Sequence, residues 1–187
     1  MPLPHFTNVQ SHVANFEPIH KSLYEVDIIL PAPISDLHPN ATSLLLENTI
    51  SINFPKYPKL AKQEQRFKYS TRLFTMMPDS TSIDDLAVKF NLNQNDQKQI
   101  FNFRMMKDWY DLAWNNEDGS VSYKKNMIGD IIIYLHDKEG AVIRRVTCHN
   151  AMLNSFEGME DVQWSDVSAI MELTAHFYVD YWEDFYY

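Results

Sequence analysis

The segment from Ile170 to Val179 alternates along its length, with Met171, Leu173, Ala175, Phe177 and Val179 apolar and Glu172, Thr174 and His176 polar between them. Successive side chains of a strand point to opposite faces, so this pattern describes a strand with one face buried and one wet. The same period recurs in Tyr24 to Leu30, where Tyr24, Val26, Ile28 and Leu30 oppose Glu25 and Asp27. It returns in Thr49 to Phe54, along Gln65 to Met76, and in Asp85 to Asn91 with Leu86, Val88 and Phe90 facing inward. Ile131 to His136 and Val142 to Cys148 flank Asp137-Lys138-Glu139-Gly140, a short glycine-containing hairpin connection. Strands wet on one face belong to antiparallel sheets. Pro31-Ala32-Pro33 and Pro55 stop the first two strands, because proline brings no N–H to a ladder. By composition, the stretch from Pro31 to Asn40 reads as a loop.

The period lengthens once. Asn93 suits a helix N-cap and Asp96 the first turn, where a negative charge favours the helix dipole. Ile100, Phe103, Met106, Tyr110 and Ala113 then recur every three or four residues as a buried stripe. Phe101, Met105, Trp109 and Leu112 widen it, leaving Arg104, Asp108, Asp111 and Asn115 as a narrow polar side. A helix so apolar must be covered on two sides, which puts Phe103 and Tyr110 between helix and sheet. Strands, one long helix and more strands predict an α+β fold, an antiparallel β-sandwich or barrel-like domain with one long flanking helix. Residues 1–20, with Pro2, Pro4 and Pro18, read as an N-terminal arm, and residues 21–187 as one domain.

Little in the chain points to chemistry. A net charge of −9 argues against a protein that grips nucleic acid by neutralising phosphates. No apolar run reaches the ~20 residues of a membrane span, and the first residues lack a secretory pattern, so neither stable membrane insertion nor export is expected. Cys148 is the single cysteine; it forms no internal disulfide, which suits a reducing cytosol. His149, its neighbour, points to the opposite face of a strand and cannot share its proton. The histidines lack zinc-site spacing. Asp84-Asp85 reads as a strand edge and Glu183-Asp184 as a solvated chain end, rather than acid–base pairs. There is no Walker loop, GxGxxG or GxSxG. The expectation is no enzyme, with no catalytic residue, metal or cofactor. Phe177 to Tyr187 holds seven aromatic residues among eleven, three acids, and neither Lys nor Arg. Phosphate would be repelled there, and a packed strand that continues into a subunit contact through Tyr181, Trp182 and Phe185 explains the composition better.

Three blocks, in order, resemble the tail tube proteins of T4-like contractile-tailed bacteriophages. Ile83-Asp84-Asp85-Leu86-Ala87-Val88-Lys89-Phe90 looks like the family's acidic pair leading into a strand, with a polar turn and the helix ending near Trp109 after it. Tyr123-Lys124-Lys125-Asn126-Met127-Ile128 is similar to the Tyr-Lys-Lys segment after that helix. Val162-Gln163-Trp164, the final strand and Asp180-Tyr181-Trp182-Glu183 look like the family's C-terminal end. The resemblance implies hexameric rings, stacked into a tube that delivers the genome. It also implies contacts with tail sheath, baseplate and tape measure proteins, and a place in the virion tail after assembly in the host cytoplasm. DNA would cross the lumen without specific binding, with Glu25, Asp27 and Glu172 as candidate lumen acids. Three alternatives stand beside it: a tube-initiating baseplate subunit, the tube of a phage-derived injection system, and, less favoured, a small β-sandwich enzyme.

Overall fold

The computed structural model describes residues 22–57, 61–68, 70–76, 83–92, 101–114, 119–158 and 171–187. The proposed arm at 1–20, the N-cap Asn93 with Asp96 and Ile100, and the Val162-Gln163-Trp164 block lie outside them. The strands are β1 (Tyr24–Ile29), β2 (Thr49–Ile52), β3 (Ala61–Phe67), β4 (Ser70–Met76), β5 (Ile83–Asn91), β6 (Gly129–His136), β7 (Val142–Gly158), β8 (Glu172–Val179) and β9 (Tyr181–Tyr186). The helices are α1 (Ala32–Leu37), α2 (Ala41–Asn48), α3 (Phe101–Ala113) and α4 (Lys124–Met127). All pairings among the described strands are antiparallel. The fold is α+β and mainly antiparallel, as the alternation predicts, and the sheet does not close on itself as a barrel would.

Seven strands form one sheet in the order β1-β6-β7-β8-β5-β2, with β9 also on β7. β7 is 17 residues long and serves both halves. Its first half pairs with β6 and β9, and its second half with β8. The inward residues of both halves feed one core that includes Val26, Ile28, Val88, Ile133, Val146 and Phe177. The hairpin between β6 and β7 is where the sequence places it, with Gly140 at φ +87° accepting a left-handed turn. Gly129 opens β6 for a different reason: a Cβ there would collide with the Ile29 carbonyl of β1.

Four expectations need correction. The Pro31–Asn40 stretch contains α1: Pro33 falls in the first turn, where a missing N–H costs nothing, and Ile34 is buried beneath it. Composition therefore marked a helix start rather than a loop. With α2 and α4, the long helix is accompanied by three short ones. Gln65 to Met76 is not one strand but the second part of β3 and all of β4, a hairpin separate from the main sheet. The α3 stripe is also rotated from the one read in the sequence. Its innermost residues are Asn102, Met105, Met106 and Trp109. Phe103 is half-buried and packs edge-on to Phe156 with centroids 5.4 Å apart, while Tyr110 stays 38% exposed at the margin. A helix on a sheet buries the side aimed at the sheet, and here that axis runs through Trp109, tilted on Phe177 at 5.4 Å. The Trp109 indole donates to the Met127 carbonyl at 2.9 Å, so its polar tip is satisfied inside the core.

Trp109→Ala should therefore cost about 3–5 kcal/mol, as a large-to-small change in a packed core, and Tyr110→Ala about 1 kcal/mol. Urea denaturation of the two variants checks this; equal losses would show that the helix has been given the wrong inner face.

Candidate functional site

The geometry that shapes the molecule's surfaces begins at a corner. At Asn150 the chain takes φ +55°, a left-handed conformation that asparagine tolerates. Opposite it, Asp180 separates β8 from β9, so the partner strand leaves one half-sheet for the other at the same place. The Asp180 amide donates to the His149 carbonyl at 3.3 Å, and the Asn150 side-chain amide to the Asp180 carboxylate at 3.0 Å. The Asn150 backbone N–H donates to Asp130 at 3.0 Å, which ties the corner to β6. Lys124 donates to Asp180 at 2.6 Å and holds its carboxyl below the usual carboxylate range. Thus Lys124 and Asp180, from two separate sequence blocks of the resemblance, meet in one salt bridge.

Beyond the corner, β9 lies on β7 with Tyr181 opposite His149 and Tyr186 opposite Arg144. Its alternate residues face different ways. Trp182 turns inward and meets Tyr57 edge-on at 4.7 Å. Asp184, inward too, is 8% exposed and receives two hydrogen bonds from the Arg144 guanidinium, at 2.9 and 2.7 Å. Tyr57 and Tyr186 donate to the same carboxylate at 2.6 and 3.0 Å. Phe54 and Tyr186 sandwich the guanidinium, with centroids 5.2 and 5.5 Å away. The Glu183-Asp184 pair is thus no simple solvated chain end: Glu183 is exposed, but Asp184 is a half-buried anchor. Arg144, 40 residues earlier, supplies the charge that makes burial tolerable, and nothing in the local sequence signals it. The segment from Ile50 to Tyr57 crosses this end of the sheet, since the Tyr24 hydroxyl of β1 also donates to the Ile50 carbonyl.

Tyr181 and Phe185 point to the outer face. Tyr181 stacks on His149 at 4.7 Å, and Phe185 lies under the Arg145 guanidinium at 4.7 Å. Both remain partly exposed, as do Tyr186 and Tyr187, on a strand whose one pairing among the described residues is to β7. Glu25 and Asp27 share this face across β1, joined by Asp130 of β6 and Glu183 of β9. Glu172 lies on the other half of the sheet with Asp85 and Glu157, and its carboxylate is held by Lys89. The structure therefore brings together two of the three candidate lumen acids and sets the third apart. Among the described side chains, seven carboxylates stand on the outer sheet face against two permanent cations, Arg145 and Lys89.

Cys148 is buried in the core, and burial pushes its thiol up to about 12, so it packs as a small apolar residue. His149 points the other way, as alternation requires. Among the described residues no three His, Cys, Asp or Glu side chains are grouped to hold a metal ion, and no helix is long and apolar enough to cross a membrane.

No protein-family model and no curated protein matches the sequence. Solved structures, by contrast, match along almost its whole length. A chain of the PVC sheath–tube complex of an extracellular contractile injection system, in the extended state, is similar with a TM-score of 0.57 at 14% identity, over 95% of this chain and 97% of that one. A chain of the tube terminating cap of the anti-feeding prophage (AFP) is similar with a TM-score of 0.57 at 13% identity, over 92% and 93%. A chain of the AFP baseplate follows at 0.54 and 7%, over 91% and 97%. The fold is therefore one shared with chains of a sheath–tube complex, a tube terminating cap and a baseplate.

The Arg144 guanidinium, with the Tyr57 and Tyr186 hydroxyls, holds the Asp184 carboxyl down at about 2. An acid that ionises more readily folded than unfolded stabilises the fold above its unfolded pKa of about 4, and that contribution drains away as pH falls toward about 2. Asp184→Asn should lose stability at neutral pH and show a shallower decline between about pH 4 and about pH 2. Thermal midpoints measured across that range check it; parallel curves for the two proteins would contradict it.

Proposed function

We propose that this chain is a structural subunit of the tube of a contractile tail or injection apparatus, with no catalytic role. The observation that carries the proposal is a tail-tube-like fold matched end to end, over 95% of this chain and 97% of the similar one. A fold shared with inserted or missing domains would support less. The features of the surface suit the role. An edge strand with exposed aromatic side chains invites pairing with another chain, and a protein that does not aggregate must cover it. Burying Tyr181, Phe185, Tyr186 and Tyr187 against a second copy would do so, with Trp182 supporting the strand from within. Subunits joined head to tail by such heterologous contacts close into rings when the rotation permits.

In this reading six copies form a ring, and rings stack into a tube inside the sheath. The sheath, baseplate and tape measure proteins are partners, and DNA is the cargo of a phage tail assembled in the host cytoplasm. The outer sheet face, with Glu25, Asp27, Asp130 and Glu183, lines the channel. Acids there keep phosphates from adhering, since binding strengthens with each cation that phosphates meet. The printed descriptions of the similar chains favour a variant of this reading, the tube of a phage-derived injection system with another cargo. Likeness to a cap and a baseplate chain favours a second one, a ring that starts or ends the tube instead of extending it.

Mass photometry of the purified chain over a range of concentrations separates these readings. A tube subunit gives rings and then longer stacks, and a cap or initiator stops at one ring. The double variant Tyr181→Ser/Phe185→Ser should keep its fold and require at least about tenfold more protein to assemble, as expected when aromatic contact residues are lost. A monomer at every concentration and salt level would contradict the proposal.

A further inference from the structure

Three of the four described histidines sit on the outer sheet face, and each is set against carboxylate. The His136 Nε2 lies 3.4 Å from Glu25 on β1. His149 is flanked on both ring nitrogens, by Asp130 at 3.5 Å from β6 and by Glu183 at 3.7 Å from β9. The His176 Nδ1 lies 2.6 Å from Asp85 on β5. His38, the fourth, pairs with Asp108 of α3 away from this face. The other charged groups around the three are committed elsewhere. Asp137, beside His136, accepts the Glu139 and Ala141 amides. Asp180, beside His149, is held by Lys124 and Asn150. Near His176, Lys89 is bonded to Glu172. Arg145 lies over the Phe185 ring.

Histidine is the side chain that changes charge between about pH 5 and about pH 8. A lysine at these positions would neutralise the acids at every physiological pH. A glutamine would never do so. We propose that His136, His149 and His176 make assembly of this chain proton-coupled: protonation cancels part of the negative charge of the outer sheet face and so favours ring closure. The inference rests on the tube reading, in which a ring brings several copies of this face around one channel. Like charges gathered there repel, and self-repulsion opposes the compact state. An imidazolium between carboxylates relieves that repulsion, and a neutral imidazole restores it.

Uptake of one proton per association step changes an equilibrium constant by up to about tenfold per pH unit. The concentration at which rings appear should therefore fall on the order of tenfold between about pH 8 and about pH 5.5, which mass photometry reads directly. The triple variant His136→Gln/His149→Gln/His176→Gln should assemble with little pH dependence, while His38→Gln keeps the wild-type response. If the triple variant folds poorly, His149→Gln alone should remove a measurable part of the response. Rings that form in wild type and triple variant with the same pH dependence overturn this inference and leave the tube reading standing. No ring at any pH contradicts the tube reading itself, and the inference falls with it.

Discussion

The fold depends on one long ribbon bending at one place. β7 on one side, and β8 followed by β9 on the other, run antiparallel through a corner where Asn150 takes a left-handed conformation opposite Asp180. A sheet that bends there interrupts its own ladder, and the backbone groups so freed must be satisfied. Asp130 accepts the Asn150 amide, the Asp180 amide donates to the His149 carbonyl, and Lys124 balances the charge of Asp180. Because β7 belongs to both halves, the two inner faces and α3 share one core, with Trp109 against Phe177 at its centre.

Strand alternation separates two kinds of surface. The inner side collects the apolar residues, and the outer side collects acids, histidines and a few aromatic rings at its β9 margin. Strand alternation alone would distribute these residues evenly along both halves. The clustering of aromatic side chains on the last strand is a separate feature, and in the proposed tube that edge would meet another chain. In the proposed tube, the acidic sheet face would form the channel wall and the aromatic edge beside it would join neighbouring copies. Likeness along nearly the full length to a chain of a sheath–tube complex suits that reading.

Much of this was legible in the sequence, for a physical reason: one-sided burial prints a period of two on each strand. β1, β5 and β8 could be read from it, including Val26, Leu86 and Phe177 as inward positions, although Met171, read on the buried face, is 39% exposed. The hairpin around Gly140 was equally plain. What misled was local chemistry with two meanings. Proline ends strands and begins helices, so Pro31 and Pro33 concealed α1. Aromatic residues on nearly every side of α3 made its inner face ambiguous, and Tyr110 went to the margin while Trp109 took the centre. The anchoring of β9 was not legible, because Arg144 and Asp184 come together through a register that no local pattern encodes. The candidate lumen acids divide in the same way. Glu25 and Asp27 share a face through strand period, whereas the place of Glu172 depends on the order of strands in the sheet.

The central claim is that copies of this chain close into a ring with the outer sheet face turned to the channel. Cryo-electron microscopy of the assembled protein tests it most directly. The account predicts a ring of six around an open channel, with Glu25, Asp27, Asp130 and Glu183 on the wall and α3 on the far side of the sheet. An assembled ring with α3 lining the channel and the acidic sheet face outside would contradict it.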